Sequence, residues 1–148
     1  MIKVKKIRDN AILPTRGSAV SAGWDLYAAE GAFIPAGKTV LIGTGLAIAM
    51  PKVVWGGIYA RSGLATKQGL RPANCVGVID ADYRGEIMVA LHNDNDSERV
   101  VQAGDRIAQL VFHPLMEIVL EDGEAWNVVD NLDDTDRGDG GFGSTGSN

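Results

Sequence analysis

A chain of 148 residues with 45% hydrophobic content suits one ordinary globular domain with its own core. No apolar stretch approaches the roughly 18 uninterrupted residues of a membrane span, and no apolar signal segment follows the basic start at residues 1–6, so no membrane partner is expected and the expected compartment is the cytoplasm. A net charge of −5 with no broad basic face argues against a nucleic-acid polymer as partner; the lone Cys75 and two histidines leave no internal disulfide and no Cys/His zinc spacing.

Helical periodicity is nearly absent. The apolar runs are short, rich in Val and Ile and punctuated by Gly, Pro, Asn and Asp, which predicts strands over 2–7, 24–28, 39–49, 53–60, 75–79, 86–92, 106–112 and 115–120, with a last one at 125–129. Within 86–92 the alternation puts Ile87, Val89 and Leu91 on one face and Met88, Ala90 and His92 on the other. One short helix is expected from Ser62 to Gln68, with Ser62 as its cap and Gly69 as its stop. Many short strands imply an all-β sandwich or barrel, jelly-roll-like, here a distorted barrel over residues 1–129. Cys75 reads as a small core residue within it. Residues 130–148 differ: acidic, then glycine-rich, with only Leu132 and Phe142 as large apolar groups. That composition predicts a mobile C-terminal arm.

Five segments carry polar chemistry. Asp25 interrupts an otherwise apolar strand start and needs a partner. Arg61, Ser62 and Gly63, at the start of the short helix, bring together a guanidinium, a hydroxyl and backbone N–H groups, a set suited to phosphate, though a surface Arg and a plain Ser cap would look the same. In the run 76–85, Val78, Asp80 and Asp82 point to one side if the chain is extended. Both carboxylates read either as turn formers or as the orienting group for an attacking water. An ordinary carboxylate is a weak base at pH 7, so such a group positions the water and takes its proton late. Gln109 shares a face with Ile107 and Val111, and its amide is either satisfied by backbone or presented to a ligand. The run 137–146 is glycine-rich with Ser and Thr yet is no P-loop, since Gly-Lys-Ser/Thr is missing. It reads as a plain tail, or as an arm whose Phe142 stacks on a base and whose Arg137 reaches phosphates.

Taken together and in this order, these segments resemble the five ordered motifs of the trimeric dUTPases, from Ala22 to Gly146. The run from Gly77 to Gly85 and the tail with Arg137 and Phe142 carry the resemblance most sharply. Two positions depart from the family pattern: Ala60, where a proline is common, and Trp24, where a smaller aromatic is common. The resemblance implies a β jelly-roll homotrimer with sites at subunit interfaces and an arm closing over a neighbour's site. The substrate would be dUTP, with Mg2+ held mainly by the triphosphate. The products would be dUMP and pyrophosphate. By position, Asp80 would be the catalytic, water-orienting base. Arg61, Ser62 and Gly63 would contact phosphates. Asn74 and the backbone of Val78, Ile79 and Asp80 would read uracil, Met88 would line the site, and Tyr83 would pack on the deoxyribose. Gln109 would help hold phosphate and water, Asp25 would support the metal through water, and Arg137, Phe142, Gly143, Ser144 and Thr145 would form the closing arm.

A site that hydrogen-bonds the uracil edge rejects cytosine, whose donors and acceptors are exchanged there. Residues 121–139 hold eight acids and one base, so the arm is expected to stay open until Mg2+ and substrate neutralise an anionic site. The nearest rival, a deoxycytidine triphosphate deaminase, needs an acid/base set for attack on the pyrimidine ring, and none is found. A nucleotide-responsive regulatory protein would use the same residues for binding alone.

Overall fold

The structure is a computed structural model that describes residues 1–74, 76–116 and 126–140. The strands are β1 (Lys3–Lys6), β2 (Trp24–Tyr27), β3 (Ala32–Ile34), β4 (Thr39–Gly43), β5 (Leu46–Ala49), β6 (Val54–Tyr59), β7 (Leu70–Pro72), β8 (Gly77–Ile79), β9 (Met88–Asn93), β10 (Arg99–Val101) and β11 (Arg106–Pro114). The helix, α1, spans Ser62–Gln68. These elements lie in the unit Met1–Met116, an all-β, jelly-roll-like body with one short helix. No helix among the described residues is long and apolar enough to cross a membrane.

The sheets are antiparallel. The largest has the order β2-β11-β6-β8; a second has β4-β9-β7; β1 pairs with β5 and β10 with β3. Ile87, Val89 and Leu91 are buried while Met88, Ala90 and His92 are only partly so, as the alternation requires. Leu26, Ile34, Ile42, Leu46, Leu70, Ile107 and Leu110 are likewise buried. Each such side chain contributes about 1.5–3 kcal/mol of apolar burial. Asn93 is buried among them with its amide fully used: Nδ2 donates to the carbonyls of Ile34 (2.9 Å) and Ser97 (2.8 Å), and Oδ1 accepts from Asn95 N (3.0 Å).

Several expectations change. The predicted strand 39–49 is two strands, because Gly45 turns the chain through φ +71°. A side chain there would also meet Ala11, its Cβ lying 2.8 Å from that of the alanine. Gly69 stops α1 in the left-handed region as expected (φ 63°), but Ser62 is the first helical residue rather than the cap. Arg61 occupies the cap position without a side-chain cap bond. Ile107 does not share the face of Gln109: the register shifts between Arg106 and Ala108, and this bulge turns Ile107 into the core. β11 runs on to Pro114, Leu115 and Met116 are not strand, and the rest of the predicted strand 115–120 lies outside the described residues, as does Cys75. The predicted strand 125–129 is not formed at 126–129. Three short strands, β3, β7 and β10, were not expected.

In the second unit, Glu117–Asn148, the described residues contain a turn over 135–140. Gly138 N donates to Thr135 O (3.0 Å), and Arg137 Nε donates to Gly140 O (2.9 Å).

Candidate active site

The first polar cleft forms where β2, β11 and the start of α1 meet. It holds about 360 Å³ and is lined by Asp25, Arg61, Ser62, Gly63, Leu64, Lys67, Gln68 and Gln109. The partner that Asp25 needed is Arg61: its Nε donates to Asp25 Oδ1 at 2.8 Å, while Arg106 Nη1 donates to Oδ2 at 3.2 Å. Asp25 and Gln109 are opposite one another in the β2–β11 register, which brings a carboxylate and an amide to one spot. Gln109 Nε2 donates to Ala60 O at 2.8 Å, so its strand position is fixed by backbone. Its Oε1 lies against Gly23, where an added Cβ would overlap it. Space above Gly63 is open. The cleft can therefore present two cations, Arg61 and Lys67, together with the Ser62 hydroxyl, to an anion. Ala60 keeps its carbonyl in this lock. Trp24 is covered by Arg16, whose guanidinium carbon sits 4.5 Å from the ring centroid.

Asp80 lies elsewhere. It and Asp82 are exposed on the connection from β8 to β9, and with Val78 they line a second cleft of about 740 Å³. Met50, Lys52, Trp55, Ala81, Arg84 and Leu115 complete its wall. The loop is closed by its own backbone: Tyr83 N donates to Asp80 O (3.1 Å), and Arg84 Nη1 donates to the carbonyls of Ala81 and Tyr83 (both 2.8 Å). Tyr83 folds back so that its hydroxyl donates to Glu86 O at 3.0 Å. Its ring takes the space that a side chain at Gly85 would need.

Asn74 lines a third, smaller cleft of about 230 Å³ with Ile58, Tyr59, Ala60, Arg71, Pro72 and Val76. Its amide lies over Gly77, whose missing side chain makes room for it. Ile79 is partly buried against the core, and Met88 is opposite Gly43 on β9. Arg137 belongs to the second unit. Phe142, Gly143, Ser144 and Thr145 lie outside the described residues.

The clefts holding Asp80 and Arg61 share no lining residue. Ile79 pairs with Gly56, so Asp80 emerges beside Trp55, whereas Arg61 follows the other end of β6. At about 3.3 Å per residue, the two lie roughly 20 Å apart along the strand. Asp25, Arg61, Ser62, Gly63 and Gln109 are thus brought together, and Asp80 is not among them. Sequence reasoning missed Lys67 on the first cleft, Arg106 as the second partner of Asp25, and Lys52, Trp55 and Arg84 on the second cleft. Lys67, on the helix behind Arg61 and Ser62, was the one with a usable signal.

The dUTPase family profile matches residues 9–146. The chain is 51% identical over 140 residues to a deoxyuridine 5'-triphosphate nucleotidohydrolase of Debaryomyces hansenii, covering 95% of this chain and 84% of that one. It is 49% identical to the Arabidopsis thaliana protein of the same name, covering 97% and 82%. In three dimensions it is similar to the Staphylococcus bacteriophage 80alpha dUTPase with dUPNHPP: TM-score 0.88 at 27% identity, over 99% of both chains. Ordered polar segments, an all-β body and these relationships across nearly the full length converge, and the chain belongs to the dUTPase family.

Proposed function

We propose that the protein is a dUTP diphosphatase that hydrolyses dUTP to dUMP and pyrophosphate, limiting uracil incorporation into DNA and supplying dUMP for dTMP synthesis. A water oriented by Asp80 attacks the α-phosphorus, the bond from that phosphorus to the bridging oxygen breaks, pyrophosphate leaves, and the water's proton passes late to Asp80. Arg61, Ser62, Gly63 and Gln109 hold the phosphates. Asn74 and the backbone of Val78, Ile79 and Asp80 read the uracil edge, with Met88 lining the site and Tyr83 under the deoxyribose. The observation that supports this assembly is that the Asp80 and Arg61 clefts share no lining residue and lie toward opposite ends of β6. In this reading the Asp80 cleft of one subunit faces the Arg61 cleft of another, within the homotrimer that the family resemblance implies. Arg137, Phe142, Gly143, Ser144 and Thr145 belong to the arm, residues 130–148, that closes over the neighbouring subunit's site, with Phe142 stacked on the base.

Among the described residues there is no group of three His, Cys, Asp or Glu able to hold a metal ion. The Arg61 cleft offers one carboxylate, Asp25, already bridging two guanidiniums. This donor set fits Mg2+ carried by the triphosphate and met by Asp25 through water; when bound, the ion neutralises phosphate charge. The test is pyrophosphate release from dUTP, dCTP, dTTP and UTP by the wild type and Asp80→Asn. Turnover is expected on dUTP alone, lost in the variant while nucleotide binding survives. Near-normal turnover by Asp80→Asn, or ammonia release from dCTP, would overturn the reading.

A further inference from the structure

Between the body and the Asp80 loop sits an ion pair that the reaction as proposed does not use. Glu86, at the foot of the loop, spreads its carboxylate over two partners: Oε1 accepts from Gly45 N at 2.8 Å and Oε2 accepts from Arg8 Nη2 at 3.1 Å. The Arg8 Nη1 reaches Glu30 at 3.1 Å, and the hydrogen bonds that the guanidinium donates, to Glu86 first and Glu30 second, raise its pKa above its ordinary value. The Glu86 side chain is 18% exposed. Gly43 lies directly beneath the pair, and a Cβ there would overlap Glu86 Oε1 and lie 2.8 Å from Arg8 Nη2. The pair therefore fits its seat closely.

The same residue also holds Tyr83. The backbone carbonyl of Glu86 accepts the Tyr83 hydroxyl at 3.0 Å. Its neighbour Ile87 is tied to the body by Ile87 N to Leu46 O (2.8 Å) and by the Thr44 hydroxyl to Ile87 O (2.8 Å). Arg8 itself is held where Ile7 N donates to Gly45 O at 2.8 Å. One continuous path thus runs from the chain after β1, through a half-buried ion pair, to the phenol of Tyr83.

We infer that Glu86, clamped by Arg8 and the Gly45 N–H, is a positioning residue that fixes the height of Tyr83 and so sets discrimination against a ribose 2′-hydroxyl. This rests on the proposed role of Tyr83 under the deoxyribose. A ring pinned by its hydroxyl to a carbonyl that cannot shift leaves no slack for one more oxygen. A carbonyl free to move would let the ring recede. Glu86 need not touch substrate for this; it acts through Tyr83.

The experiment compares kcat/KM for dUTP and UTP in the wild type, Glu86→Gln, Arg8→Met, Tyr83→Phe and the double variant Glu86→Gln/Tyr83→Phe, with melting temperature measured alongside. Glu86→Gln keeps an acceptor for Gly45 but sets an amide against the guanidinium; Arg8→Met removes the clamp from the other side, and serves alone if the first variant fails to fold. Each is expected to lower the dUTP-to-UTP ratio by roughly three- to tenfold through better use of UTP, with kcat on dUTP little changed. In the Tyr83→Phe background, Glu86→Gln is expected to lower the ratio no further. Equal loss on both nucleotides, an unchanged ratio, or an undiminished effect without the phenol would overturn the inference. Failure of the underlying reading looks different: the wild type itself would not prefer dUTP to UTP.

Discussion

The Arg61 guanidinium donates to a carboxylate oxygen of Asp25 at 2.8 Å, joining residues 36 positions apart in the chain. Both are mostly buried at the side-chain level, at 27% and 18% exposure, so solvent screens the pair only in part. Arg61 is thereby aimed before any anion arrives. Asp25→Asn keeps the shape but removes the charge that aims it, and kcat/KM on dUTP is expected to fall about tenfold, the scale of one charge-assisted hydrogen bond. Steady-state pyrophosphate release measures this. An unchanged kcat/KM would detach Asp25 from phosphate handling.

Because Asp80 and Arg61 occupy clefts with no lining residue in common, their defects should complement each other. Asp80→Asn and Arg61→Ala are each expected to be inactive alone. Unfolded together, refolded and assayed, they should recover about a quarter of wild-type activity, the share of random interfaces with both intact residues. Recovery of none would place both groups on one subunit's site.

Gly85 bears no side chain where the Tyr83 hydroxyl and ring rest, and an ideal Cβ there would overlap the hydroxyl and lie 2.6 Å from the ring. Gly85→Ala must push the ring away, and a ring can swing at small cost to the fold because the site is exposed. The expected result is a kcat/KM on dUTP reduced by about tenfold or more, with the unfolding free energy changed by less than about 1 kcal/mol. Urea unfolding and kinetics on one preparation separate the two effects.

Stability has its own sensitive point. Asn93 is fully buried and makes its hydrogen bonds to Ile34, Ser97 and Asn95. Asn93→Ala removes the donor to two carbonyls and the acceptor of both the Asn95 N–H and its side-chain amide, and the expected loss is about 2–4 kcal/mol. A midpoint shift in urea at constant slope checks it.

What the sequence disclosed follows from range. The faces of the segment containing Ile87, Val89 and Leu91 were legible because period-two burial is written residue by residue. Gly69 was legible as a helix stop because left-handed backbone selects glycine. The strands Ala32–Ile34, Leu70–Pro72 and Arg99–Val101 were not, since three residues are too few to show a period. Gly45 splits a continuous apolar run, and the bulge at Ile107 reverses its facing; both depend on partners far along the chain. In the candidate site, Asp25, Arg61 and Gln109 were each recognisable as polar residues needing partners, but their meeting was not. Nor was the separation of Asp80 from them, because distance along β6 depends on which strand pairs beside it.

That separation makes the proposed enzyme's own concentration a variable of its chemistry. If the reacting carboxylate and the phosphate-holding guanidinium come from different copies, a lone chain has neither a slow site nor a weak one: it has no site. Specific activity would then decline on dilution below the assembly constant and return on reconcentration, without unfolding. Binding partners that compete for the joining surface could silence turnover without touching Asp80 or Arg61.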